Sequence, residues 1–189
     1  LSWFGYLSTT SVYGNHDGKW VDENVPVNPS SNRGLLRVKA ENNWSGIKDL
    51  PLHIFRLAGI YGPNRSPLDK IKSGKAQLIS KPGQFFSRIH VEDIARVLGA
   101  SIEMPNHGSV YNVCDDMPAA PDDVMDYAAK LISYPDLPKV AFEEAELSPM
   151  AKSFYSENKR VKNERIKSEL KITLKYPNFE IGLNALAGK

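Results

Sequence analysis

Residues 8–14 read Ser-Thr-Thr-Ser-Val-Tyr-Gly, four hydroxyls in a row with a phenol two positions further on. A positioned hydroxyl can donate to an oxygen on which negative charge develops. A phenol can act as a general acid or base once its pKa, ordinarily about 10, is lowered. The hydroxyl row Ser8 to Ser11 and the phenol of Tyr13 are therefore candidates for bonding a ligand, with a polar turn capping a strand as the plain alternative. His16, the only histidine near this stretch, is a further candidate by residue type but sits among loop formers. Arg33 and Arg37 stand four apart, and Arg56, Arg65 and Arg88 add further cations. Arginine stays protonated, so these can bind an anion but cannot accept a proton. Cys114-Asp115-Asp116 lacks a second ligand cluster, so no metal site is expected there. Glu143, Glu144 and Glu146 read as solvated charge, as do the cations Lys159, Arg160 and Lys162, for which contact with a phosphate is the alternative.

These side chains need elements to hold them. Trp3 to Leu7 is a short aromatic-rich run that predicts a buried strand, and in an open parallel sheet ligands bind beyond the carboxyl ends of strands. Asn15 to Ser31 is a punctuated loop with a turn at Asp17-Gly18. Ser31 or Asn32 caps a helix over 33–47, with Leu36, Ala40, Trp44 and Ile47 on its apolar face. A second buried strand spans Leu52 to Ala58, followed by a turn at Tyr61-Gly62-Pro63-Asn64. Ser66-Pro67 opens a short helix to Ser73, and strands are expected over 77–80 and 84–89. The spacing of Val91, Ile94, Ala95, Leu98 and Ile102 predicts a helix over 91–103. A strand over 109–113, helices over 121–133 and 149–155, a strand over 159–161, and helices over 163–170 and from Phe179 onward complete the reading.

The hydroxyl run is joined, in order, by Arg56-Leu-Ala-Gly-Ile-Tyr-Gly-Pro63, Ile89-His-Val-Glu-Asp-Ile-Ala95 and Val110-Tyr-Asn-Val-Cys-Asp-Asp116. This series resembles the C-terminal portion of the extended short-chain dehydrogenase/reductases, above all an atypical NAD-dependent epimerase/dehydratase-like subgroup. The resemblance implies an α/β fold: a partial NAD(P)-binding Rossmann-like parallel sheet with a smaller α+β substrate lobe. Residues 1–62 would form the sheet part and 63–189 mainly the lobe, with the two interleaved. It further implies catalytic roles for Thr9 and Tyr13, cofactor contacts from Ser8, Arg37, Gly59 and Ile60, and substrate contacts from Thr10 and Arg88. The cofactor would be NAD or NADP.

Several positions depart from the family pattern. The family base is a Tyr followed four residues later by Lys; here those positions are Arg33 and Arg37. The family's nucleotide-sugar Asn falls at Gly59 and its phosphate-binding Arg at Phe86, with Arg88 two residues on. A non-catalytic NAD(P)-binding regulatory protein on the same scaffold is therefore the competing expectation. Asp93 and His90 match the pattern and are expected to be structural, Asp93 at the start of its helix.

Composition sets outer bounds. The 189 residues carry a net charge of +2, 41% hydrophobic and 24% charged side chains, ordinary for a globular domain and no argument for nucleic acid. A single cysteine suits a reducing, cytoplasmic setting, and no apolar run reaches the length of a membrane span. The expected partner is a small-molecule substrate, with self-association into a homo-oligomer through an unpaired strand edge. No G-x-G-x-x-G occurs, so the glycine-rich half of the family's domain is expected to be absent. Since dinucleotide affinity rests largely on the pyrophosphate over that turn, these 189 residues alone should bind NAD or NADP no better than millimolar, about −4 kcal/mol. Calorimetric titration checks this; micromolar binding would require a phosphate site elsewhere in the chain.

Overall fold

The computed structural model describes all 189 residues. The strands are β1 (Phe4–Thr9), β2 (Trp20–Val21), β3 (Leu52–Leu57), β4 (Gly59–Tyr61), β5 (Leu78–Ser80), β6 (Arg88–His90), β7 (Val110–Val113), β8 (Lys139–Ala141) and β9 (Arg160–Val161). The helices are α1 (Asn32–Ser45), α2 (Pro67–Lys72), α3 (Val91–Glu103), α4 (Pro121–Leu131), α5 (Pro149–Tyr155), α6 (Glu164–Glu169) and α7 (Phe179–Leu186), and a 3-10 turn spans Thr10–Tyr13. The architecture is α/β. A parallel sheet in the order β1-β3-β7 forms its centre, and three two-stranded parallel pairs, β2-β9, β4-β6 and β5-β8, surround it. No helix is long and apolar enough to cross a membrane.

Every residue of β3 is buried, as befits a central strand covered on both faces. The register sets Leu7 beside Phe55 and Phe55 beside Tyr111, and Leu57 beside Val113. This face meets Ile89, Ile94 and Val97 on one side and Ile166, Leu170 and Leu174 on the other, so α3 and α6 cover it. The opposite face is polar. Ser8, Arg56 and Asn112 lie side by side across the three strands. Above them Glu41 of α1 takes Arg56 in a two-pronged pair, Nη2 to Oε2 at 2.7 Å and Nε to Oε1 at 3.2 Å. Ser8 Oγ donates to Glu41 Oε1. Arg56 Nη1 donates to the Tyr13 phenol at 3.0 Å, and that phenol donates to Asn112 Oδ1 at 2.7 Å.

This network explains why α1 buries only part of its apolar stripe, with Ala40 and Trp44 half-buried and Trp44 against Phe4. Leu36 is 66% and Ile47 48% exposed, while Gly34 and Glu41 are buried. The helix is drawn down by its ion pair, and Gly34 lets it approach: a Cβ there would stand 2.6 Å from Pro29 Cβ and 2.9 Å from Ser11 O. Ser31 caps it as expected, accepting from Gly34 N. In α3 the limits match expectation, but the inner face is Ile94, Val97 and Ser101, with Val91 and Ile102 exposed. Asp93 does not cap α3. His90 does, and the Asp93 carboxylate accepts instead from Lys175 N and Tyr176 N. Of the strand expected over 84–89 only Arg88–His90 forms, and β2, β4 and β8 are short strands that periodicity did not show.

A second core gathers Leu68 and Ile71 of α2, Leu78 of β5, Val124 and Ala128 of α4, and Phe179 and Leu183 of α7. The Asn15–Ser31 loop is fastened by residues 157–161. His16 N and Gly18 N donate to Asn158 O, Asn158 N donates to Asn15 Oδ1, and β2 pairs with β9. The same Asn158 side chain reaches Gly83 O and Phe85 N.

Removing one partner of a buried ion pair leaves an uncompensated charge. Glu41→Leu is therefore expected to cost about 3–5 kcal/mol in urea unfolding, and Glu41→Leu with Arg56→Met to recover most of that loss.

Candidate functional site

A cleft of about 950 Å³ opens at the carboxyl end of β1 and β3. One wall is Thr9, Thr10 and Ser11 with the start of α1; the other is β4, β6 and the aromatic residues Phe85, Phe86, Phe154 and Tyr155. Thr9 caps the 3-10 turn, its Oγ1 accepting from Ser11 N at 3.3 Å and Ser11 Oγ at 3.2 Å. Two hydroxyls share the second contact, so one proton of the Thr9–Ser11 pair has no protein acceptor. That leaves a hydroxyl donor facing the cleft.

Arg37 Nη1 donates to the Tyr6 phenol and to Leu7 O, each at 3.1 Å. Its Nε and Nη2 have no protein partner. Arg33 lies over the Phe154 ring, 5.3 Å from its centre, at the same rim. Gly59 and Ile60 border the cleft from β4; the Gly59 N–H donates to Ser87 O at 3.1 Å. Arg88, opposite Gly59 in the β4-β6 ladder, donates through Nη1 to Phe86 O at 2.9 Å and Ala119 O at 3.2 Å.

The cleft thus brings together Thr9, Thr10, Arg37, Gly59, Ile60 and Arg88. Two expected members are turned away. Ser8 borders the cleft, but its hydroxyl is held by Glu41. Tyr13 is fully buried between Arg56 and Asn112, and burial pushes its pKa up, against what a base requires. Burial likewise raises Tyr61 and Tyr155, the two phenols that do border the cleft. Arg56, one of the cations counted as able to bind an anion, is the buried ion-pair partner already described.

Sequence reasoning missed Lys159. It is 8% exposed and borders the cleft, donating to Gly14 O and Glu157 Oε2, each at 2.8 Å. Burial lowers its pKa, opposed by Glu157. Glu157 also accepts from Ser30 Oγ. The one available signal was the pair of opposite charges at Glu157 and Lys159, two apart and so on one side of an extended segment.

The parallel sheet with a ligand-sized cleft at its carboxyl end defines a Rossmann-like α/β protein. In fold and motif order the chain resembles the epimerase/dehydratase-like short-chain dehydrogenase/reductases. No family model matches the sequence. Protein YeeZ of Escherichia coli K12 is 29% identical over 174 residues, 92% of this chain and 58% of that protein. A functionally unknown conserved protein from Silicibacter pomeroyi DSS superposes with a TM-score of 0.95 at 60% identity, over 98% of this chain and 66% of that one. Human epimerase family protein SDR39U1, solved with NADPH, superposes with a TM-score of 0.85 at 16% identity, over 100% of this chain and 66% of that one. The chain therefore spans about three-fifths to two-thirds of the length of these relatives.

Behind Arg88, Asp115 is buried, with Oδ1 accepting from Met117 N and Oδ2 without a partner. Burial pushes its pKa up to about 8, with Asp116 and Asp93 adding to the rise and Met117 N and Arg88 opposing it. In the unfolded chain it titrates at about 3.9. Its contribution therefore favours the fold below that value and is lost as pH rises through about 8. Asp115→Asn should gain stability over the parent progressively from pH 4 to pH 8, measured by urea unfolding across that range. Buried His53 and His90, whose pKa values burial lowers, act in the opposite sense, but they are common to both proteins and cancel in the difference.

Proposed function

We propose that this chain forms the substrate-facing part of an NAD(P)-dependent oxidoreductase of the epimerase/dehydratase kind, acting on a small hydroxylated substrate. Nucleotide-sugars are one candidate class. In this reading residues 1–62 carry the cofactor side of the site and residues 63–189 mainly the substrate side. The observation that carries it is the Thr9–Ser11 hydroxyl pair, which holds one unengaged proton at a strand's carboxyl end in the cleft. The NADPH in the human relative supports the cofactor assignment.

The residues present suit the sugar side of a dinucleotide. Arg37 offers an unengaged Nε and Nη2 edge at the rim, a fork that matches ribose hydroxyls or a phosphate. Gly59 and Ile60 border the same space without bulk at position 59. When bound, the cofactor supplies the hydride-accepting group. Thr9 donates to the substrate oxygen, Thr10 borders it, and Ser8 and Tyr13 brace the strand end from behind.

A second reading, a non-catalytic NAD(P)-binding regulator, is favoured by the cleft's phenols. Tyr61 and Tyr155 are both raised by burial, and Arg33 occupies the family's base position. Screening the intact protein for nicotinamide reduction against hydroxylated substrates separates the two. Thr9→Val is expected to lower kcat by about 10²–10³-fold, the scale of losing one donor to a developing oxyanion. NAD(P) binding without turnover of any substrate would favour the regulator.

A further inference from the structure

Arg88, like Arg37 at the rim, has bonding that leaves a directional vacancy, and it stands on the aromatic side of the cleft. Its Nη1 is doubly engaged by the carbonyls of Phe86 and Ala119, which fixes the plane of the guanidinium. No carboxylate lies within salt-bridge distance of it, although the chain's two buried cations, Arg56 and Lys159, each have one. Asp115 is the acid that acts on it most strongly, and burial disfavours the charged form of that carboxyl. The Nε and Nη2 hydrogens have no protein acceptor. These two lie parallel on one edge of the group, the edge that matches two oxygens of a single planar acceptor.

The surroundings of this edge are apolar. Phe86 stacks edge-on against Tyr155, ring centres 5.3 Å apart, and Phe85, Met125, Phe179 and Leu183 extend the wall. Asn64, on an exposed turn, is the only carboxamide bordering the cleft. A polyhydroxylated ligand would find few partners for its oxygens along this wall, and each unmatched hydroxyl would lose its water. Charge points the same way. The cleft is bordered by six cations, Arg33, Arg37, Arg65, Lys70, Arg88 and Lys159, and by two carboxylates. Both carboxylates are already engaged, Asp69 in the cap of α2 and Glu157 with Lys159.

We propose that the cleft takes an organic carboxylate with a flat apolar body, its two oxygens held by Nε and Nη2 of Arg88 and its body laid against Phe86 and Tyr155. This rests on the reading of the cleft as the substrate site and names the class of substrate. The acid binds with its charge balanced by Arg88, while Thr9 lies across the cleft for a hydroxyl on the same molecule.

Isothermal titration of the intact protein with 3-phenylpropionate and its neutral counterpart 3-phenylpropanamide tests it directly. The acid is expected to bind at least about ten-fold more tightly than the amide, the scale of a charge-assisted paired contact. Arg88→Met should erase that preference and Arg88→Lys should keep part of it. Equal affinity for acid and amide in the parent overturns the proposal, as does a preference that survives Arg88→Met. Should Arg88→Met fail to fold, the parent comparison and Arg88→Lys still decide. Phenyl phosphate or uridine diphosphate binding more tightly than the acid would also overturn the carboxylate assignment. Acid binding through Arg88 without nicotinamide reduction would leave this site standing and remove the oxidoreductase reading. Turnover of a neutral alcohol with kcat/KM unaffected by Arg88→Met would do the reverse.

Discussion

The pair between Arg56 and Glu41 is the constraint on which the remaining structure depends. Arg56 belongs to the central strand, and a guanidinium there must be matched or the sheet cannot close over it. Matching it fixes four other things at once. It sets the height of α1, draws the Ser8 hydroxyl inward, holds the Tyr13 phenol and, through that phenol, ties β7 at Asn112. The chain direction after β1 follows, because Tyr13 anchors the end of the 3-10 turn that Thr9 begins. Thr9 faces the cleft because its neighbour Ser8 is held on the opposite side of the strand.

The same network accounts for what the sequence showed and what it hid. Strands β1 and β3 and helices α1 and α3 were legible because their limits are marked by apolar runs, caps and prolines. The buried face of α1 was not legible, because it is a glycine and a glutamate, and hydrophobic periodicity has no means of marking a salt-bridged face. Ser8 and Tyr13 look like site residues by type and spacing; only the three-strand register of Ser8, Arg56 and Asn112 shows that they are structural. Lys159 was hidden for the complementary reason. A lysine within a run of charges reads as solvated until its partners, Gly14 and Glu157, are seen to come from a distant loop and its own segment. Short pairs such as β2-β9 lie below the length at which alternation carries any signal.

The cleft combines two environments that are rarely found together by chance. Its strand-end wall offers hydroxyls and its far wall offers aromatic rings with one unmatched cation. A ligand spanning it must be amphipathic in a defined sense, oxygen-bearing toward Thr9 and apolar elsewhere, with charge at a fixed position beside Arg88. The polar groups are rigid because each is held by backbone: Thr9 by Ser11 N, Arg37 by Leu7 O, Arg88 by two carbonyls. Orientation by prearranged groups of this kind requires no reorganisation on binding.

The fastening of the 14–18 loop by Asn158 and Lys159 has a consequence for biogenesis. Asn15 and Asn158 are 143 positions apart, and Gly14 and Lys159 are 145 apart. At a ribosome adding about 5–20 residues per second, the hydroxyl strand emerges on the order of ten seconds before the segment that secures the loop behind it. During that interval β1 and β3 can pair, but the wall formed by residues 83–87 and the 14–18 loop lacks its common fastener. The wall facing the hydroxyl strand end is thus fastened well after that strand has left the ribosome.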